Sequence, residues 1–113
     1  MNTRKYSKAQ EKRIAKNTGG RLQPNSGATP FMKGDIITED FLIECKTKTK
    51  ESASMSIKKE WLEDIQFESF AMGRSNWALG FNFGGLNNPE NFYIIDERLF
   101  NRLQEFLKEE KEY

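Results

Sequence analysis

Residues 35–46 read DIITEDFLIECK, and the folding of this stretch decides how the rest of the chain is read. Ile36-Ile37-Thr38 and Phe41-Leu42-Ile43 are β-branched or apolar, and Glu39-Asp40 interrupts them, a pattern that predicts a β-hairpin. With Glu39-Asp40 at the centre, facing residues have numbers that sum to 79. Thr38 then faces Phe41, Ile37 faces Leu42, Ile36 faces Ile43, and Asp35 faces Glu44. Directly opposed residues of an antiparallel pair have β-carbons about 5 Å apart. Two carboxylates at that distance repel, and a divalent cation between them turns the repulsion into attraction. Alternation places Lys46 on the face of Glu44 and turns Cys45 to the other face, where it reads as a small apolar core residue.

Hard oxygen ligands favour magnesium or manganese over zinc. Asp35, Glu44 and Lys46 therefore read as a metal site for phosphodiester hydrolysis. Lys46 would orient a water or stabilise charge developing on phosphorus. A strand face that alternates charge for solubility gives the same E-x-K triplet, and Asp35 alone could be a turn acid. The turn also lacks the Asn-Gly or Asp-Gly pair of a tight hairpin, which leaves a one-residue slip open.

Working outward, Ser7 and Gln10 fit a capping box that starts a helix near Lys8 and ends it before Gly19-Gly20. Residues 1–7 then form a basic flexible arm, and residues 21–34 a functional loop rich in Pro, Gly, Ser and Asn. Beyond the hairpin, Ser56 caps a helix from Ile57 to about Met72, with Ile57, Trp61, Ile65 and Met72 on one face. Trp61 reads as core or dimer contact. Trp77–Phe83 alternates bulky and small residues as a strand, GGLNNPEN is a turn, and Phe92–Ile95 is another strand. Asp96 caps a last helix carrying Leu99, Phe100, Leu103, Phe106 and Leu107. The expected order is α-β-β-α-β-β-α, an α/β domain over residues 1–113 with a central mixed four-stranded sheet flanked by helices.

Composition narrows the chemistry. Of 113 residues, 36% are hydrophobic and 31% charged, so the core is small and nine Phe, three Tyr and two Trp must supply much of it. There is no histidine and a single cysteine, which excludes Ser-His triads, His-ligated metals, Cys-rich zinc sites and an intrachain disulfide. No run is long and apolar enough for a membrane span or a signal region, so a soluble, cytoplasmic protein is expected. Residues 1–34 hold eight bases against the single acid Glu11, while the remainder carries a net negative charge. A basic segment on an acidic domain suits a polyanionic partner, and a solvated tail accounts for it equally well. Arg4, Lys5, Lys8, Lys12 and Arg21 are the candidate phosphate contacts. Glu11 among lysines is also explained by intrahelical ion pairs.

Ser26-Gly27-Ala28, then Lys33-Gly34-Asp35-Ile36, then Phe41-Leu42-Ile43-Glu44-Cys45-Lys46 together resemble the PD-(D/E)xK nuclease superfamily, most of all its small Holliday-junction resolvases of archaea and phages. The likeness spans roughly residues 8–96, with Gly34 where the family has its proline. It implies a restriction-endonuclease-like core in which Asp35, Glu44 and the Cys45 carbonyl bind the metal and Lys46 is the catalytic lysine. It further implies Glu11 as a supplementary ligand and Ser26 as the serine of the mobile loop. Gln66 corresponds to the polar residue that the following helix directs at the site, although Phe70 stands where some branches have Tyr. Ser26 and Lys33 join the expected DNA contacts, and the implied protein is a homodimer acting on branched DNA in recombination or repair. Nucleases of flaps, nicks or duplex ends share the fold, and a non-catalytic nucleic-acid-binding module is the alternative of a different class.

Overall fold

The computed structural model describes residues 3–23, 36–85 and 89–111. In chain order these form α1 (Thr3–Thr18), β1 (Arg21–Leu22), β2 (Ile36–Ile37), β3 (Phe41–Lys46), α2 (Lys59–Ala71), β4 (Asn76–Phe81), β5 (Phe92–Ile94) and α3 (Glu97–Lys111). The strands make one sheet in the order β1-β2-β3-β4-β5. Only β3 and β4 run parallel, and α2 is the crossover that a parallel connection requires.

The hairpin has the expected register, Ile36 opposite Ile43 and Ile37 opposite Leu42. Its turn closes without an Asn-Gly pair because Thr38 works twice. The Thr38 amide donates to the Phe41 carbonyl (2.9 Å), and the Phe41 amide donates to the Thr38 hydroxyl (2.9 Å). Arg74, just beyond α2, donates from Nε to the Thr38 carbonyl (2.9 Å) and ties the turn to the start of β4.

Three expectations are corrected. The sheet has five strands rather than four, because Arg21–Leu22 adds to β2 as an edge strand within the segment expected to be loop. A two-residue strand has no periodicity of its own, and its pairing partner creates it. The first helix begins at Thr3, so residues 3–7, including Arg4 and Lys5, are helical rather than a flexible arm. The second helix begins at Lys59 rather than near Ile57. The N-cap is Lys58, in extended backbone and with no side-chain capping bond, so Ser56 is not the cap; in the preceding loop Lys48 Nζ and Ser52 Oγ both donate to the Ser54 carbonyl (2.8 and 2.9 Å).

The sheet buries apolar residues on both faces. On one, α1 lays Ile14 against Ile36, Ile43 and Ala78, with Cys45 at the margin as expected. On the other, α2 lays Ile65 against Leu42 and Trp77. Odd-numbered residues of β3 therefore face α1 and even-numbered ones face α2. Asp96 caps α3 as expected, accepting from the Leu99 amide at 2.8 Å.

Candidate functional site

The even-numbered face of β3 changes character along the strand. Leu42 is fully buried, while Glu44 and Lys46, toward the C-terminal end, are half-buried. Their charged ends meet: Lys46 Nζ lies 3.7 Å from Glu44 Oε1, with about a quarter of each side chain exposed (29% and 25%). The same ammonium sits 4.5 Å from the centre of the Trp61 ring, and Lys58 Nζ stands 5.8 Å from that ring. Lys46 is thus held between a carboxylate and an aromatic face, two attractions that fix where its charge lies. In the parallel ladder Glu44 pairs with Leu79 and Lys46 with Phe81, so apolar walls flank both.

A second layer of order supports this end of β3. Gln10 of α1 is only 4% exposed, and its Nε2 donates to the Lys46 carbonyl at 2.7 Å. The same amide group lies 3.4 Å from the Gly80 carbonyl and 3.3 Å from Asn91 Oδ1. Asn82, buried to 2%, donates from Nδ2 to Asn91 Oδ1 (3.1 Å) and accepts from Thr47 Oγ1 and from the Gly84 amide (3.0 Å). Arg13 Nη1 donates to the Pro89 carbonyl at 2.7 Å. This network clamps the β3 terminus to α1 and to the β4–β5 connection. A buried network whose members are all satisfied rigidifies what it joins.

Of the residues singled out by sequence, Glu44 and Lys46 come together. Asp35, Ser26 and Lys33 lie outside the described residues. Glu11 is half-buried on α1, the helix that covers the opposite face of β3. Gln66 is exposed on α2 and is not gathered into the Glu44–Lys46 pair; between Trp61 and Ile65, which face the sheet, and the largely exposed Phe67, it falls on the outer side. Lys8, Lys12 and Lys16 recur every fourth residue and form one exposed stripe along α1, and Arg21 is exposed on β1. Sequence reasoning missed Trp61 as the partner of Lys46, and it gave Gln10 to a capping box instead of a buried cradle. The signal for Gln10 was thin: an uncharged amide in a helix otherwise ringed with bases.

Among the described residues no three His, Cys, Asp or Glu side chains gather as a metal-binding group. The donors available at this end of β3 are carboxylate and carbonyl oxygens, a set that suits a hard divalent ion. Compared with family models, curated proteins and solved structures, the chain matches none.

Proposed function

We propose that the chain is a metal-dependent endonuclease that hydrolyses DNA phosphodiesters and prefers branched substrates. The observation that carries this reading is the half-buried Glu44–Lys46 pair on one face of β3, next to a hairpin whose facing residues sum to 79. On this reading Asp35, the residue before Ile36 in sequence, supplies the second carboxylate beside Glu44. Asp35, Glu44 and the Cys45 carbonyl would hold magnesium or manganese; Glu11, on the helix that covers the other face of β3, falls outside this set. Such an ion, when bound, polarises the scissile phosphate and lowers the pKa of a water.

The chain's own residues have separate tasks. Lys46, positioned by Glu44 and Trp61, directs its ammonium at the attacking water or at charge building on the phosphoryl oxygens. The apolar walls of Leu79 and Trp61 lower the local polarity and strengthen that interaction. Lys8, Lys12, Lys16 and Arg21 offer a basic track for the sugar-phosphate backbone. Symmetric cutting of a junction requires two such sites about a two-fold axis, so the working form is a homodimer. The same basic track also supports a second reading, a nucleic-acid-binding module without catalysis.

The test is cleavage of labelled four-way junction, flap, nicked and linear duplex DNA by the purified chain, in magnesium and then in EDTA. Cleavage in magnesium alone is expected, with loss of at least a hundredfold in Glu44→Gln and Lys46→Ala. Binding without cleavage of any substrate selects the second reading. Cleavage that survives both substitutions refutes the site.

A further inference from the structure

Helix α3 carries an apolar stripe that stays exposed among the described residues. Leu99 is buried to 6%, yet Phe100, Leu103, Phe106 and Leu107 are about half exposed (52, 45, 57 and 54%). Every residue from Phe100 to Lys111 is exposed. The four apolar residues form one stripe at helical spacing, and Leu103 borders an apolar groove of about 460 Å³ whose walls include Phe41, Ile43, Ala78, Tyr93 and Ile95. A helix of 15 residues is close to the shortest that holds together in water without tertiary support.

The charges beside the stripe say what the cover is. At 100° per residue, Arg98, Arg102, Glu105 and Glu109 line one flank, while Glu97, Gln104, Lys108 and Lys111 line the other. Each flank changes sign midway, basic to acidic on the first and acidic to basic on the second. Within one helix, Arg98 with Arg102 and Glu105 with Glu109 are like charges four residues apart, which repel. Arg98 has local partners, donating from Nη2 to the Ser75 carbonyl (2.9 Å) and lying near Asp96, whereas Arg102 and Glu105 are exposed at the centre of the flank.

We propose that α3 is a homodimer interface, packing antiparallel against α3 of a second copy about a two-fold axis near Leu103 and Gln104. An antiparallel two-fold pair brings each flank against the same flank reversed, so both flanks become complementary to themselves. Facing residues then have numbers summing to 207: Phe100 meets Leu107, Arg102 meets Glu105, and Arg98 meets Glu109. The like-charge neighbours of each helix acquire opposite-charge partners, and the apolar stripe from Phe100 to Leu107 is buried along about 10 Å. The pairing is isologous, as a closed dimer requires, and it stands whether or not the protein cuts DNA.

Sedimentation equilibrium of the full chain over a concentration series tests this through a charge swap. The parent chain should show twice the monomer mass. Arg102→Glu alone and Glu105→Arg alone should each shift toward monomer, because positions 102 and 105, which face each other across the pair, then carry one sign. An equimolar mixture of the two variants should recover a one-to-one dimer, since the swapped flanks complement each other. Circular dichroism of each variant checks that the fold is retained, and Leu107→Asp gives a second disruption that leaves the flank charges alone. A parent chain that is monomeric at every concentration overturns the proposal. So does a dimer that neither charge reversal weakens, or two monomeric variants that fail to associate on mixing.

Discussion

Gln10→Glu is nearly isosteric, yet it should be among the most damaging substitutions in the protein at neutral pH and close to harmless in acid. The amide nitrogen of Gln10 lies within 2.7–3.4 Å of three oxygens, those of Lys46, Gly80 and Asn91, in a site only 4% exposed. A carboxylate there would face acceptors with no proton to offer. A protonated acid could still donate one O–H, best to the Lys46 carbonyl. Burial without a donor should raise the new carboxyl's pKa by about 2–3 units, which is about 3–4 kcal/mol of lost stability at pH 7. The sign follows from linkage. The folded-state pKa is raised above the unfolded value near 4.3, so stability is retained below about pH 4 and lost as pH rises through the folded value. Gln10→Ala provides the reference. The Lys46 carbonyl still accepts from the Asn82 amide (3.3 Å) and Asn91 Oδ1 from Asn82 Nδ2, so truncation removes a hydrogen bond and some packing. Its cost should be about 2 kcal/mol and nearly independent of pH. Urea unfolding of parent, Gln10→Ala and Gln10→Glu at pH 4 and pH 7 reads these differences, each taken relative to the parent at the same pH. If Gln10→Glu is no less stable than Gln10→Ala at pH 7, or loses equally at both pH values, the acceptor cradle is not what holds α1 to β3.

Three shorter predictions test other parts of the argument. Replacing Lys8 and Lys12 with Gln should reduce the slope of log affinity against log salt for duplex DNA by about 2, from about 0.9 per phosphate contact, and an unchanged slope removes the α1 stripe from the interface. Gly84→Ala should destabilise far more than Gly73→Ala. Both residues have positive φ (90° and 71°), but a Cβ at 84 would stand 2.4 Å from the Lys50 carbonyl oxygen, while one at 73 meets nothing within 4 Å. Thermal unfolding should show about 1–2 kcal/mol lost at 73 and a larger loss at 84, and equal losses would refute the close packing of the 48–50 loop. Tyr93 should ionise later than an ordinary tyrosine: partial burial raises its pKa above 10, the charge of Cys45 adds to this, and Arg13 opposes it. The stability it contributes is therefore complete below pH 10 and declines as pH rises through the folded-state value, and Tyr93→Phe should remove the late phase from an absorbance titration of the phenols.

How much of this was legible depends on whether a feature is written in one segment or assembled from several. The β2–β3 register was legible because two apolar runs flank the polar Glu39-Asp40, and centring the turn on that pair sets Ile36 and Ile37 against Ile43 and Leu42, all four of them buried. Strand alternation put Glu44 and Lys46 on one side of β3. The start of α1 was misplaced because Ser7 and Gln10 satisfy a local capping rule, while the actual use of Gln10 is set by carbonyls 36 and 70 residues away. Trp61 was read as core or dimer contact because a helical stripe cannot distinguish a side chain that meets Leu42 from one that meets an ammonium four residues farther along the strand.

The last helix shows the same limit from the other side. Its apolar stripe predicts a buried face in any sequence reading, and the stripe itself does not say what does the burying. In α3 only Leu99 is buried by the chain's own fold. The information about the partner lies in residues that a core argument discards, the charges flanking the stripe, because an interface between copies must match charge as well as exclude water. Arg102 and Glu105 lie three residues apart about the midpoint of α3 and can form a weak pair within one helix. The reversed symmetry of both flanks is what distinguishes that local pairing from a surface made to meet itself, and the rescue of two charge-reversed chains by each other is the outcome that only the second explanation yields.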